Sequence, residues 1–291
     1  MELEIRDVSK TYANGVHALK DINLTISKGM FGLLGPNGAG KSSIMRTIAT
    51  LQTPDSGKIY FDGQDIFATP AEFRRQLGYL PQDFGVYANA SATDMLDYFA
   101  RLKGIHNAKE RKNRINELLE LVNLTEHCHK AVDTYSGGMR QRFGIAQVLL
   151  TNPKVIIVDE PTAGLDPAER NRFYSILHQL TDSAIVILST HIVGDVTNLC
   201  DDMGILNQGT LLSRGKPDEL VASIKHQIWH KSVSRNELKT LRDNYKVIST
   251  RIVKGNIQAT IQSETAPTAS FIQSTADLED FYFSYVPELA V

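Results

Sequence analysis

The sequence predicts an α/β fold built around a parallel sheet, with an antiparallel β subdomain, a helical subdomain and a small C-terminal α+β appendix. Two observations predict the parallel sheet. The apolar segment Met30–Leu34 leads into a glycine-rich loop and then into helical spacing of apolar residues over Ser42–Leu51. The apolar segments Val155–Val158 and Ala184–Ser189 enclose a helical pattern, Pro167–Leu180. Continuous apolar segments that alternate with helices are typical of strands buried on both faces.

The composition is that of a globular chain with a sizeable core. The 291 residues, 42% of them hydrophobic, favour about two domains. The apolar runs fall far short of the ~18 residues of a transmembrane helix, and Met1–Arg6 is acidic where a signal peptide is basic. We therefore expect a cytoplasmic chain that does not itself cross a membrane. The net charge of -2 gives no general attraction to nucleic acid, and no nucleic-acid partner is expected.

Two segments near the N-terminus predict the antiparallel subdomain. Apolar and polar residues alternate through Leu3–Val8 and Ile22–Ile26, as they do in half-buried strands. Asn14 and Gly15 form a strong turn signal between the two segments. We therefore expect a hairpin or loop that carries Tyr12 at its edge.

A glycine-rich loop follows the first buried strand. Its sequence, Gly35–Ser42, fits the phosphate-binding pattern G-x-x-x-x-G-K-[ST] between a strand and a helix. Glycines let backbone N–H groups turn toward phosphates, and the start of the helix adds a partial positive charge. Lys41 adds a full charge, and Ser42 offers a hydroxyl to Mg²⁺. We predict a P-loop NTPase whose phosphate-binding residues are Asn37, Gly38, Ala39, Gly40, Lys41, Ser42 and Ser43.

Helical spacing of apolar residues dominates the middle of the chain. It is clearest from Thr93 to about Glu126, and it predicts a helical subdomain at about 88–150. The run His127–His129 contains three residue types that bind metals. Consecutive helical residues point about 100° apart and cannot converge on one ion, so we interpret the run as a solvent-facing helix end.

Two acids, Asp159 and Glu160, follow the strand Val155–Val158. Adjacent strand residues face opposite sides, so the two carboxylates are expected to have different roles. We assign Asp159 to the Mg²⁺ shell and Glu160 to general-base catalysis on the attacking water. His191 follows the strand that ends near Thr190, at the edge of the sheet where open α/β folds bind ligands.

The segment Tyr135–Met139, with the sequence Tyr-Ser-Gly-Gly-Met, resembles the signature loop of ABC ATPases. The resemblance covers about residues 2–215, and the matching positions include Tyr12, Gln82, Gly164–Asp166 and His191. The loop departs from the commonest Leu-Ser-Gly-Gly-Gln form at its first and last residues but keeps the serine and both glycines. The resemblance implies an ABC-type ATPase that uses ATP and Mg²⁺.

The resemblance also implies a role for each matching residue. Tyr12 would stack on adenine, Gln82 would bind Mg²⁺ and sense the attacking water, and His191 would contact the γ-phosphate. The signature residues would close over the ATP of a second subunit, so function implies a dimer, and Asp166 would help the two sites communicate. The residues that would close over this second ATP are Ser136, Gly137 and Gly138.

The form of the signature loop points to one branch of the family. Together with Gly78–Gln82 and Asp277–Phe281, it is similar to single-domain ATPases of drug and antibiotic export systems of the ABC-2 type. This similarity implies a motor subunit, peripheral on the inner face of the cell membrane, that drives a separate transmembrane permease. The permease would contact the surface around Asp83–Tyr87 and the helical subdomain.

We divide the chain into an ABC ATPase domain, 1–220, and a C-terminal α+β accessory domain, 221–291. The second range carries strand patterns, a helix near Asn236–Arg242 and a final helix from about Thr275. We interpret it as support for the dimer rather than as a ligand sensor. The alternative function is a soluble ABC ATPase that acts on ribosomes or DNA. One ATPase unit and no long heptad segment disfavour this alternative.

Overall fold

The computed structural model describes residues 1–268 and 270–287. The strands are β1 Glu2–Thr11, β2 His17–Ser27, β3 Gly29–Leu34, β4 Ser56–Phe61, β5 Gln64–Asp65, β6 Leu77–Leu80, β7 Val155–Asp159, β8 Ile185–Thr190, β9 Asp202–Asn207, β10 Thr210–Gly215, β11 Ile228–Val233, β12 Lys246–Val253, β13 Asn256–Gln262 and β14 Ile272–Gln273. The helices are α1 Lys41–Ile48, α2 Pro70–Arg75, α3 Ala92–Leu102, α4 Ala108–Leu121, α5 Gly137–Val148, α6 Pro167–Leu180, α7 Val193–Leu199, α8 Pro217–Ser223, α9 Arg235–Asn244 and α10 Leu278–Tyr285.

The N-terminal sheet is antiparallel, with strand order β2-β1-β4-β5. Leu3 pairs with Ile26 and Ile5 with Leu24, so the apolar residues of both strands share one buried face. The chain turns between the strands at residues 12–16, where the Tyr12 N–H donates to the Val16 carbonyl at 2.9 Å. The hairpin predicted from the alternating pattern is confirmed.

The central sheet has the order β10-β9-β3-β8-β7-β6. All its strands are parallel except β10, which pairs antiparallel with β9 at one edge. Every residue of β7 and β8 is buried, as the continuous apolar segments predicted. Because the strands are parallel, β3, β6, β7 and β8 end at the same edge, and the loops that follow them lie close together.

Two hydrophobic clusters cover the two faces of the central sheet. The cluster on one face joins Phe31 and Ile187 to α1 and the N-terminal sheet. The cluster on the other face joins Val158 and Leu188 to the helical subdomain, where Phe143 is 0% exposed. Complete burial of a side chain of this kind stabilises a fold by roughly 1.5–3 kcal/mol. The sheet is therefore fixed between two packed layers.

The helical subdomain contains α3, α4 and α5. The Ser91 hydroxyl caps α3 by accepting from the Asp94 N–H, and Asn107 caps α4 in the same way. Between these helices Arg111 donates to Asp97 at 2.7 Å and to the carbonyl of His106 at 2.7 Å. The run 127–129 lies at and after a 3-10 turn, and among the described residues no group of three or more His, Cys, Asp or Glu side chains is placed to hold a metal ion.

Two predicted helix boundaries differ from the observed ones. The helix expected over residues 42–51 ends at Ile48, and the chain reverses at Thr50, whose φ is 56°. The final helix begins at Leu278 rather than near Thr275, because Asp277 caps it by accepting from the Asp280 N–H. In both cases a local turn or cap decides where the helix stops or starts.

The C-terminal region contains a second antiparallel sheet, with the order β12-β13-β11-β14. Helix α9 packs on this sheet through Leu238 and Leu241. Helix α8 spans residues 217–223 and so crosses the predicted division at 220. Helix α10 shares a hydrophobic cluster with α7 and β9 of the preceding domain, through Phe281 and Val196 among others.

The longest helices, α4 and α6, contain 14 residues each. A helix of that length extends about 21 Å, which is shorter than the ~30 Å hydrocarbon core of a bilayer. Within the described ranges, no helix combines the length and the hydropathy that a membrane span requires.

Candidate functional site

The glycine-rich loop lies between β3 and α1 and is held close to the rest of the fold. Gly40 has a φ of +109°, and a Cβ there would lie 2.5 Å from the Ala18 carbonyl oxygen. A Cβ at Gly35 would lie 2.2 Å from a backbone oxygen of β9. Larger residues at these two positions would displace the loop, so the glycines are required for its conformation.

Lys41 closes this loop on itself. Its side chain is only 5% exposed, and Nζ donates to the carbonyl oxygens of Gly35 at 2.7 Å and Pro36 at 3.1 Å. The ammonium group is thereby held at the start of α1, beside the backbone N–H groups of the loop. Two sources of positive potential meet at this point.

A cavity of about 630 Å³ opens above the loop, and we call it the phosphate cavity. Most of the residues predicted to bind the nucleotide and Mg²⁺ of this chain line it, whereas Ala39 and Asp159, each 3% exposed, and His191 do not. The predicted residues that line it are Tyr12, Asn37, Gly38, Gly40, Lys41, Ser42, Ser43, Gln82 and Glu160.

Lys20 and Gln208 also line this cavity, and the sequence analysis did not single them out. Gln208 lies in the turn between β9 and β10 with a φ of 48°. The neighbouring Gly209 is a turn signal that could have predicted this hairpin. Lys20 lies in β2, and nothing in the sequence around this lysine indicates that it lines the cavity.

Glu160 is the meeting point of the charged groups. Its carboxylate is 3.3 Å from Lys41 Nζ and 3.2 Å from His191 Nδ1. It also accepts a hydrogen bond of 3.4 Å from the Gln82 amide. The structure therefore brings all three predicted catalytic residues, Glu160, His191 and Gln82, into contact beside the phosphate-binding lysine. Such a cluster can hold a polarised water close to a phosphate.

The backbone at Glu160 differs from the predicted strand. β7 ends at Asp159, and Glu160 has a φ of 48°, in the left-handed region. Its N–H still donates to the Ser189 carbonyl at 2.9 Å. The two acids therefore diverge because the chain turns at Glu160, and not because they alternate along one strand. Left-handed backbone at a residue other than glycine is strained.

Asp159 lies deeper than Glu160. It is 3% exposed, and its Oδ1 atom is buried without a hydrogen-bond partner. Burial, together with the nearby Asp159 charge, raises the pKa of Tyr79 to about 12. A buried carboxylate oxygen without a donor is a natural ligand for a hard cation. Ser42 and Gln82, which line the phosphate cavity, add two further side-chain oxygen atoms.

Tyr12 forms the opposite wall of the phosphate cavity. Its hydroxyl is 3.0 Å from the Ser43 hydroxyl and donates to Gln52 at 3.1 Å. These contacts fix the ring at the edge of the hairpin, next to Val16 and Ala18 in the cavity lining. An aromatic face in such a setting suits a purine base.

The signature residues lie at the start of α5, away from the phosphate cavity. The Ser136 hydroxyl caps the helix by accepting from the Met139 N–H at 3.2 Å. Gly138 is covered by Glu169, whose Oε2 would lie 2.4 Å from a Cβ at this glycine, whereas Gly137 has no neighbour within 4 Å of such an atom. Ser136 and Glu169 line a second cavity of about 560 Å³, which we call the signature cleft.

The two cavities share no lining residue among the described parts of the chain. Gly164 and Asp166 lie in the loop between Glu160 and α6, and Asp166 caps α6 by accepting from the Glu169 N–H at 2.9 Å. Glu169 also pairs with Arg142 of α5 at 3.2 Å. The segment that leaves Glu160 is thus connected to the signature helix.

Comparison with known sequences identifies relatives with the same motifs. The family model described as "ABC transporter" matches residues 19–163. The linearmycin resistance ATP-binding protein LnrL of Bacillus subtilis is 35% identical over 76% of this chain and 71% of its own length. The daunorubicin/doxorubicin resistance ATP-binding protein DrrA of Streptomyces peucetius is 32% identical over 92% and 79%. The methionine import ATP-binding protein MetN 2 of Pseudomonas syringae pv. tomato is 32% identical over 88% and 80%.

Solved structures agree with the sequence comparison. The dimeric ATP-binding cassette MJ0796, in a post-hydrolysis state with ADP and Pi, has 27% identity and a TM-score of 0.67 over 74% of this chain and 98% of its own. CbiO1 from Clostridium perfringens, part of the ABC transporter complex CbiONQ, has 27% identity and a TM-score of 0.69 over 83% and 94%. With the geometry of the phosphate cavity, these matches show that the chain is an ATP-binding ABC ATPase and belongs to the family of ABC transporter ATP-binding proteins.

Proposed function

We propose that this chain is the motor subunit of an ABC exporter, which hydrolyses ATP in a closed dimer and drives a separate transmembrane permease. The observation that carries the proposal is the separation of the two cavities. Ser136 lines the signature cleft and Lys41 the phosphate cavity, and within the described residues the two linings have no member in common. The proposal therefore assigns the two sets of groups to nucleotides held by different chains.

In this proposal the phosphate cavity binds and orients ATP. Tyr12 stacks on the base, while Lys41 and the N–H groups of the loop hold the phosphates. Glu160 accepts a proton from the attacking water, because it is the carboxylate nearest to Lys41. His191 and Gln82 hold the Glu160 carboxylate in position, at 3.2 Å from His191 Nδ1 and 3.4 Å from Gln82 Nε2. The positioned carboxylate then orients the water.

The same residues fit a magnesium ion. The unpartnered Oδ1 of Asp159, the Ser42 hydroxyl and the Gln82 amide oxygen are hard oxygen donors of the kind that Mg²⁺ prefers. The amide nitrogen of Gln82 faces Glu160, which leaves the amide oxygen for the ion. When bound, Mg²⁺ would neutralise charge on the phosphates.

Closure of the dimer would complete the site. The start of α5 presents its N–H groups and the Ser136 hydroxyl, which can bind a phosphate that is held by a second copy of the chain. Gly137 leaves this approach open, because nothing lies within 4 Å of a Cβ there. Loss of the γ-phosphate on hydrolysis would then weaken the closed state. Asp166 lies where it can link the two sites.

The permease contact is assigned to an aromatic surface of the helical subdomain. Tyr87 and Tyr98 are 56% and 46% exposed, and their ring centroids are 5.9 Å apart. Leu102, which lies on α3 with Tyr98, is 66% exposed. Exposed apolar groups in one place suit a protein partner, and a permease would keep the chain at the inner face of the membrane. Export is favoured by the signature form and by the drug-resistance names of LnrL and DrrA, although MetN 2 is named for import.

A copurification experiment tests the proposal. Glu160→Gln protein is isolated from gently solubilised native membranes with ATP and Mg²⁺, and its partners are identified by mass spectrometry. We expect a second copy of the chain and an integral membrane protein in near-equal amounts. Ribosomal or DNA-bound partners without a permease would instead support the soluble alternative.

A further inference from the structure

A buried carboxylate lies directly behind the catalytic cluster. Asp195, in the first turn of α7, is 0% exposed. Its Oδ2 atom accepts from the Thr162 hydroxyl at 2.6 Å and from the Thr190 hydroxyl at 2.7 Å, and Oδ1 accepts from the Tyr174 hydroxyl. Within residues 1–268 and 270–287, the groups that donate to this carboxylate are all neutral hydroxyls. The hydrogen bonds that a buried carboxylate needs also fix the side chains that donate them.

The first partner, Thr190, controls the segment around His191. Its hydroxyl donates to Asp195 and also accepts from the Ile192 N–H at 3.0 Å, so it bridges the residue before His191 and the residue after it. The Thr190 carbonyl accepts from the Gly35 N–H at 3.3 Å. The position of His191 relative to the phosphate loop therefore depends on a residue that Asp195 anchors.

The other two partners lie on either side of the loop 163–166. Thr162 is two residues after Glu160, and Tyr174 is in the second turn of α6, which begins after Asp166. Burial, together with the hydrogen bond to Asp195, raises the pKa of the Tyr174 phenol, which keeps the group a donor. The residue directly before the loop and the helix that follows it are therefore both attached to one carboxylate.

We infer that Asp195 is a positioning residue that couples the loop 163–166 to His191, so that dimer closure at the loop sets the histidine beside the γ-phosphate. The inference rests on the proposed function, because it assigns the loop to the dimer interface. No atom of Asp195 touches the nucleotide in this scheme. Its effect reaches the reaction through Thr162 and Tyr174 on one side and Thr190 on the other.

The inference predicts that substitutions which remove a hydroxyl donor to Asp195 differ in effect from those which keep it. Asp195→Asn replaces one acceptor oxygen by a donor, so the side chain can no longer accept from all three hydroxyls. Thr162→Val and Tyr174→Phe each remove one donor and keep the shape of the side chain. Thr190→Ser keeps the donor, whereas Thr190→Val removes it. Thr197→Val, on the exposed side of α7, is the matched control because its hydroxyl bonds only within the helix.

The experiment measures kcat, KM, equilibrium ATP affinity and melting temperature for purified full-length variants. We expect Asp195→Asn, Thr162→Val and Thr190→Val to lower kcat by about 10- to 100-fold, as misplacement of a catalytic group does. The loss of a hydrogen bond to a buried carboxylate should lower the melting temperature of these variants by a few degrees. Measured well below the melting temperatures, ATP affinity should match that of Thr197→Val, and Thr190→Ser should retain most of the turnover. The double variant Thr162→Val/Thr190→Val should lose little more than either single variant, because both act through one carboxylate.

Each other outcome overturns the inference. Turnover equal to that of Thr197→Val in all the variants would show that the carboxylate does not position the site. A loss of ATP affinity that parallels the loss of kcat would show a merely structural role. If Asp195→Asn does not fold, the question is decided by the kcat of Thr162→Val and of Tyr174→Phe, which the inference expects to fall by the same factor. Wild-type protein without ATPase activity would remove the proposed function as well, so the two failures are distinguishable.

Discussion

The phosphate cavity and the signature cleft differ in how far one chain completes them. In the phosphate cavity Glu160 already contacts Lys41, His191 and Gln82. In the signature cleft Ser136 caps its own helix, and Gly137 borders open space. The first cavity has its reacting groups assembled. The start of α5 beside the second presents N–H groups and a hydroxyl to which a phosphate of another chain could bind. In the proposed function, binding of ATP is accordingly a property of one chain, whereas turnover requires two.

Glu160→Gln gives the largest expected effect and separates these two properties. The amide keeps the size of the side chain but cannot accept the proton of the attacking water. We expect a loss of kcat of about 10²- to 10⁴-fold with little change in ATP affinity, and a dimer that persists with ATP and Mg²⁺. Steady-state kinetics and size-exclusion chromatography with light scattering measure the two quantities. Unchanged hydrolysis would contradict the assignment of the base.

Lys41→Ala tests the phosphate cavity alone. The variant removes the ammonium group at the start of α1, and charge-assisted hydrogen bonds of this kind contribute about 1.5–3 kcal/mol. We therefore expect ATP to bind about 10- to 100-fold more weakly, as measured by equilibrium binding to the monomer. Lys58→Ala, at an exposed lysine of the N-terminal sheet, is the control. Equal affinities in the two variants would argue against the role of Lys41.

Gly138→Ala tests the signature cleft alone. A Cβ at this position would meet Glu169 at 2.4 Å and disturb its pairing with Arg142. We expect a fall in kcat of about 10-fold, because the start of α5 shifts by part of an ångström, while the monomer binds ATP as before. Gly137→Ala adds the same atom without a clash, so the folded monomer should retain its melting temperature. A loss of ATP affinity in the Gly138 variant would show that the two cavities are coupled within one chain, which contradicts the proposal.

The smallest expected effect lies outside both cavities, at Asp280 of α10. Burial, with the charge of Asp277 second, raises the pKa of Asp280 from 3.8 to about 6. The folded chain therefore binds this proton more tightly than the unfolded chain, so the contribution to stability is present below about pH 4 and is lost as the pH rises through about 6. Asp280→Asn should reduce the change in melting temperature between pH 4.5 and pH 7 by about 2 °C. Its ATP affinity at pH 7 should equal that of the wild type.

The fold could be predicted where the local pattern and the tertiary environment agree. The segments Val155–Val158 and Pro167–Leu180 were predictable because burial on both faces, or on one face of a helix, leaves a clear spacing. β9 and β10 were not predicted, because the apolar run of β9 is short and is interrupted by Gly204, and β10 is half-exposed at the edge of the sheet. The left-handed turn at Thr50 was also missed, since threonine carries no signal for it.

The candidate site shows the same division. The glycine loop and the two acids were predictable because their chemistry requires fixed spacing along the chain. The contact of Glu160 with His191 and Gln82 depends on the order of β6, β7 and β8 in the sheet, which no single segment encodes. Asp195 was missed for the same reason, since its three partners come from three different segments.

At Glu160, a residue that suited the left-handed backbone better would raise the stability of the fold but would remove the side chain proposed to act as the base. Glycine or asparagine would adopt this conformation more easily, with a gain of roughly 1 kcal/mol, but either would remove the carboxylate. A search for heat-resistant variants that scores only folding would therefore favour replacement of this residue. If Glu160 is the general base as proposed, the search would return a more stable protein that binds ATP without hydrolysing it, so directed evolution of this chain has to score turnover from the first round.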